Sequence, residues 1–278
     1  MKIDAHQHFW NFDPVRDAWI TDDMKVIQKD FLPDDLEQTL VKNGFDGCVA
    51  VQADQSEEET LFLLEFADQY EFIGGVVGWI DLRRENIQSR LGAFAKYKKL
   101  KGFRHIVQAE PDDEFLLGES FCKGIGLLGN YRFTYDILIK PHQLNAAIKF
   151  VEKFPNQLFV IDHLAKPFIK DKMLGDWKKQ MHELGQFENV SCKISGMVTE
   201  ADWKNWKTTD FKPYIDHVID SFGTDRVMFG SDWPVCLNGA PLREWVAALK
   251  QIIASRPAGE QRALLYDNAI KLYGLTVS

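Results

Sequence analysis

No stretch of this sequence approaches the ~20 consecutive apolar residues needed to cross a bilayer. The chain starts MKIDAHQHFW, with an acidic residue where a signal peptide would carry its apolar run. Neither a membrane protein nor a secreted one is expected, and the expected location is the cytoplasm. Positive charge is in deficit: 33 Lys and Arg stand against 41 Asp and Glu, for a net charge of −8. Such a surface mildly repels phosphate, which argues against nucleic acid as a partner. Cysteine is sparse as well. Cys48, Cys122, Cys192 and Cys236 lie far apart with no CxxC pair, so neither a zinc knuckle nor a disulfide framework is expected. They read as small buried side chains in a reducing compartment. Also missing are a Gly-rich phosphate loop, internal repeats, low-complexity tracts and Pro/Ser-rich linkers.

With 278 residues, 45% of them hydrophobic and 27% charged, the composition is that of a globular protein. Eight short apolar runs read as strands: 2–6, 48–52, 72–80, 102–107, 132–139, 158–163, 190–194 and 227–232. Amphipathic stretches of helical period lie between them, at 33–43, 56–70, 83–100, 141–154, 177–186 and 212–222. Ser56, with Glu59 three residues on, predicts a capping box, and Asn43-Gly44 predicts a helix end. Eight strands alternating with helices imply a parallel sheet. The length suits a (β/α)8 TIM barrel of one domain, residues 1–278, better than an open doubly wound sheet. Residues 9–31 and 169–176 are the longest insertions.

In such a barrel the carboxyl ends of all strands converge on one face, so polar residues at strand ends carry the functional signal. Asp4, His6 and His8 share a face by the period-two rule, which aims two imidazoles at a common centre. Such a pair suits metal ligation, although an isolated HxH can equally donate to backbone carbonyls. His163 adds a third imidazole where DH interrupts the apolar run LFVI. Asp232, just before Trp233-Pro234, leaves a carboxylate at the rim, suited to ligate a cation or to move a proton to and from water. Arg104 and His105 end the fourth run; strict alternation sends one of them inward, and a turn in the backbone would bring both. Arg104 suits a substrate oxygen, or a helix carboxylate outside the barrel. Lys193 either orients substrate or pairs with Asp162 or another carboxylate. Trp10, Trp19, Trp79 and Trp233 lie near strand ends or in the first insertion, where an indole face can pack on a sugar ring or simply fill the core.

IDAHQHFW, GFRHIVQ, IDHLAKP, FGSDWPV and DNAIKLYGL together resemble the amidohydrolase superfamily, in the branch that holds sugar lactonases of the L-fuconolactonase and L-rhamnonolactonase type. The resemblance runs from the first strand to the C-terminus. It implies that His6 and His8 fill the HxH positions, His163 that of the later-strand histidine and Asp232 that of the terminal-strand aspartate, while Arg104 and His105 match an RH pair. The lysine or glutamate that bridges two metals in binuclear members has no counterpart, since Lys193 is on another strand. One divalent ion, zinc by preference, or none is therefore implied.

The expected activity is opening of a sugar-acid lactone, an L-fuconolactone-like aldonolactone, to the aldonic acid (a carboxylic-ester hydrolase, EC 3.1.1.-). Asp232, His163 and His105 are the expected catalytic residues; Arg104, Trp79, Lys193 and Trp10 the expected substrate contacts; His6, His8 and Asp232 the expected ligands of any metal. A metal-dependent decarboxylase or amidase, or a barrel that only binds a sugar, would share much of this pattern. The expected partner is a small sugar lactone, and a homodimer is the default assembly.

Overall fold

The computed structural model describes residues 1–276. Eight parallel strands follow one another around a single sheet in sequence order: β1 Ile3–Gln7, β2 Gly47–Val51, β3 Ile73–Gly78, β4 Leu100–His105, β5 Thr134–Ile137, β6 Phe159–Ile161, β7 Val190–Ile194 and β8 Val227–Phe229. The ring closes between β8 and β1 just past the strand ends, where Asp232 N–H donates to His6 O at 2.8 Å and His8 N–H to Trp233 O at 2.7 Å. Helices α1 Pro33–Asn43, α2 Glu57–Gln69, α3 Ile87–Phe94, α4 Glu119–Leu128, α5 Leu144–Glu152, α6 Gly175–Gly185, α7 Thr208–Phe222 and α8 Leu242–Ile253 alternate with the strands, and the short α9 Ala258–Arg262 and α10 Asn268–Tyr273 follow. This is the expected (β/α)8 barrel. Nearly every strand residue is buried, because the helices cover one face and the barrel interior the other.

Two layers of core result. The larger lies between sheet and helices and contains Phe103, Phe150, Phe211 and Trp245. A smaller one fills the lower barrel with Ile3, Ala5, Val49, Val51, Val77, Val160 and Met228, closed from below by Tyr273 and Leu275. None of the described helices is long and apolar enough to cross a membrane.

Local signals mostly hold, with informative departures. Gly44, at φ 73°, ends α1 in the left-handed conformation. Ser56 Oγ accepts from Glu59 N–H at 3.1 Å, but the Glu59 carboxylate turns to the Ala53 and Asp54 N–H groups rather than completing a capping box. The expected helix 83–100 shrinks to α3, because Asp81 binds Arg83 and Ile87 N–H closes a turn onto Arg84 O, while Leu100 already starts β4. Helix α7 starts four residues earlier than expected. The sixth and eighth strands stop early, at Ile161 and Phe229, because His163 (φ 52°) and Asp232 (φ 59°) turn out of the extended conformation.

Candidate active site

Three imidazoles and a carboxylate meet at the mouth. His6 lies in β1 and points into the barrel; its Nε2 is 3.2 Å from His8 Nε2, and its ring centre is 4.4 Å from that of His163. His8 Nδ1–H donates to Val51 O at 2.7 Å, which fixes the tautomer and leaves Nε2 with its lone pair toward the site. Asp232 Oδ1 is 3.4 Å from His8 Nε2 and 3.8 Å from His163 Nε2, and Thr199 Oγ1 donates to Asp232 Oδ2 at 3.3 Å. Ser195 Oγ holds His163 Nδ1 at 2.8 Å.

These groups stand on a buried ionic floor. Arg104 points inward from β4, with Nη1 3.1 Å from Asp162 Oδ2 and 3.2 Å from His6 Nε2; its Nη2 reaches Gln52 O. Lys193 Nζ lies 2.5 Å from Asp136 Oδ2, 3.1 Å from Asp162 Oδ1 and 3.3 Å from His6 Nδ1. Tyr273 OH donates to Asp136 Oδ2 at 2.8 Å. Lys193, Asp136 and Asp162 are all completely buried, so two cations and two anions nearly neutralise one another beneath His6.

Burial lowers the pKa of His8, and it lowers those of His6 and His163 well below the ordinary imidazole value. These rings are therefore neutral near pH 7. Burial works to raise the Asp232 carboxyl, but its surroundings, His163, His8 and the Lys166 ammonium among them, bring it below the ordinary value, so it is ionised. Asp4, under His6, is raised to about 7 by burial, despite accepting from Ser231 N–H at 2.8 Å.

Among the described residues, two groups have donors close enough to hold a metal ion: His6, His8 and Asp232, and His6, Asp162 and His163. The first group fits one divalent ion. Two imidazole nitrogens and a carboxylate oxygen converge, with the His8 lone pair pre-oriented by its bond to Val51, and three protein ligands leave a position open. The Arg104 guanidinium, 3.2 Å from His6 Nε2, competes for the same lone pair.

Above these groups opens a cleft of about 270 Å³ lined by His8, Arg104, His163, Asp232, Lys166, Trp19, Gln55, Gln108 and smaller apolar residues. Not every residue expected at the site reaches it. His105 alternates outward from Arg104: Trp79 Nε1–H donates to its Nδ1 at 3.2 Å, its Nε2 binds Glu110 Oε1 at 2.6 Å, and its ring stacks on Phe115. His105 and Trp79 are thus held by each other outside the cleft lining. Trp10 is buried with its indole N–H on Lys29 O. Lys193 sits below the site in its ion pairs, the second of the two roles its position allowed. Lys166, Ser195, Gln108 and Gln52 were not singled out by sequence. Lys166 had a signal in DHLAKP; Gln108 and Gln52, polar residues just past apolar runs, had almost none.

A closed barrel with three histidines and an ionised aspartate at its C-terminal mouth defines the class of a β/α-barrel hydrolase. A family model described as Amidohydrolase matches residues 3–275. The chain is 36% identical to an L-fucono-1,5-lactonase of Burkholderia multivorans, over 99% of this chain and 96% of that one. It is 35% identical to an L-fucono-1,5-lactonase of Burkholderia ambifaria, over 84% and 80%. A solved structure described as an amidohydrolase from Burkholderia multivorans with bound zinc superposes with a TM-score of 0.95 at 36% identity, covering 99% of this chain and all of that one. The chain belongs to the amidohydrolase family, as its motifs suggested.

Proposed function

We propose that the protein hydrolyses a sugar-acid lactone, an L-fuconolactone-like aldonolactone, to the free aldonic acid. The observation that carries this is the ionised Asp232 carboxylate set against neutral His8 and His163 in a cleft of ring-substrate size, in a chain whose near full-length relatives are named lactonases. Asp232 takes a proton from water as the water oxygen attacks the ring carbonyl. Arg104, His163 and Lys166 line the same cleft and offer donors to the carbonyl oxygen as it becomes an oxyanion. When the tetrahedral intermediate collapses, the ring C–O bond breaks and protonated Asp232 returns its proton to the departing ring oxygen. Trp19, 44% exposed at the rim, offers an indole face to the sugar ring. His6, His8 and Asp232 would hold a divalent ion, zinc by donor type, which when bound would acidify water or polarise the carbonyl. Four free cysteines, three of them buried, suit the reducing cytoplasm.

The test is proton release from a panel of five- and six-membered aldonolactones, followed with a pH indicator. It is run on protein as purified and after chelation, with metal content determined on the same samples. Release of one proton per ring opened supports the reading, and its survival or loss after chelation decides between metal-free and metal-assisted catalysis. Silence across the panel would overturn it.

A further inference from the structure

Gln108 lies in the short turn Val107–Ala109 after β4 and lines the cleft with Arg104, His163 and Asp232. Its backbone is pinned: its N–H donates to Leu138 O at 3.0 Å, and Gln143 Nε2 donates to the adjoining Val107 O at 2.9 Å. Its side-chain amide oxygen is buried without a hydrogen-bond partner among the described residues. The other amide in the cleft is engaged, since Gln55 Oε1 accepts from Ile106 N–H at 2.8 Å. A buried acceptor without a donor carries an uncompensated desolvation cost, relieved when a ligand supplies the missing O–H or N–H. Strands β4 and β8 are four places apart in the closed ring. Gln108, three residues past the end of β4, and Asp232, three past the end of β8, therefore belong to opposite walls of the mouth.

Resting on the lactonase reading, we infer that Gln108 is a specificity-determining residue that accepts a hydrogen bond from a hydroxyl on the side of the lactone ring away from its carbonyl. The site thereby favours polyhydroxylated lactones over bare ones. Asp232 fixes the carbonyl end of the ring, and Gln108 reads the far end. A site that pairs a buried polar group with a substrate hydroxyl discriminates against the analogue lacking it, because that group is then left unpaired.

The experiment compares kcat/KM of wild type, Gln108→Met and Gln108→Glu on two substrates: the hydroxylated 1,5-aldonolactone opened fastest by wild type, and δ-valerolactone, a ring without hydroxyls. Gln108→Met should lose about 10- to 100-fold on the hydroxylated lactone and less than about 3-fold on δ-valerolactone. The second substrate shows that the variant is folded with a working site. Gln108→Glu keeps an acceptor at the same reach and should keep the wild-type preference between the two rings. An equal loss on both substrates, no loss on either, or a Glu variant that loses the preference as Met does would overturn the inference. Should wild type open neither ring, the lactonase reading falls first and takes this inference with it.

Discussion

Lys193→Met tests whether the buried ionic floor is balanced as its geometry indicates. Methionine roughly matches the lysine stem, so the main change is loss of one ammonium 2.5 Å from Asp136 and 3.1 Å from Asp162. Arg104, 3.1 Å from Asp162, is left as the one close cation among the described residues for two fully buried carboxylates. Removing one partner of a buried pair costs about 3–5 kcal/mol. At ~2.1 cal/mol/K per residue, the whole chain has an unfolding entropy of about 580 cal/mol/K, which converts that cost to a fall in Tm of about 5–9 °C. The sign of the pH dependence follows from Asp136. Burial, opposed by Lys193, leaves its carboxyl raised from 3.8 to about 6. A carboxyl raised in the folded state contributes stability that is present below its unfolded pKa and lost as pH rises through the folded one. Without Lys193 the folded pKa climbs further and the loss extends to higher pH. The deficit of the variant should therefore be largest at pH 8 and shrink toward pH 5, as Asp136 takes up a proton and the carboxylate repulsion ends. Lys193→Met combined with Asp136→Asn should recover at least half of the lost Tm at pH 8. Calorimetric melts of the three proteins across that range provide the check. A single variant melting within about 1 °C of wild type, or a deficit constant with pH, would refute the electrostatic account.

Asp232→Asn removes the proposed base while keeping a hydrogen-bonding side chain beside Thr199, so kcat/KM should fall by about 10²–10⁴ with the fold intact by circular dichroism; turnover near wild type would remove Asp232 from the chemistry. Because burial lowers the pKa of both His8 and His163, their protonation belongs below pH 6.5. The acid limb of kcat/KM should lie below that value, with a plateau above it; a limb centred above 6.5 would show that burial does not hold these imidazoles neutral, and activity lost as pH rises from 6 to 8 would show that a charged imidazole is needed. Gly196 has φ 64°, and a Cβ there would lie 2.8 Å from His163 Nδ1, the atom held by Ser195. Gly196→Ala should cost at least about 1–2 kcal/mol in stability and reduce turnover by up to about 10²-fold through displacement of His163. Melting and kinetics on the same preparation would show whether the two losses occur together.

Period-two reasoning holds only in part within the strands of this chain. In β4 the alternation sends Arg104 to the ionic floor and His105 out onto Phe115, a division the sequence alone could state only as one possibility. In β1 strict alternation fails: Ile3 and Ala5 fill the barrel, and a register shift between Asp4 and Gln7 turns His6 inward as well, so Asp4 and His6 do not share the face that period two predicts. The same reasoning loses its basis a residue or two past the strand ends. His163, Leu164, Ala165 and Lys166 have φ of 52°, 53°, 55° and 51°, a turn of left-handed helix in which none of the four residues is glycine or asparagine, the types that signal such a conformation. At roughly 1–2 kcal/mol for each such residue, the turn persists because its surroundings hold it. Trp177 Nε1–H donates to Leu164 O at 2.8 Å, Lys166 N–H donates to His163 O at 2.7 Å, and Ser195 fixes the His163 ring. Trp177 comes from α6 and Ser195 from just past β7, 13 and 32 residues from the groups they hold, so no local pattern could announce the turn. Its effect is to bring His163 and Lys166, three residues apart, to the lining of the same cleft as Asp232, which itself stands at φ 59°. The barrel and the inward turn of Arg104 follow from local periodicity. The placement of the remaining groups follows from tertiary contacts that override it, which is where backbone strain at functional sites is expected to concentrate.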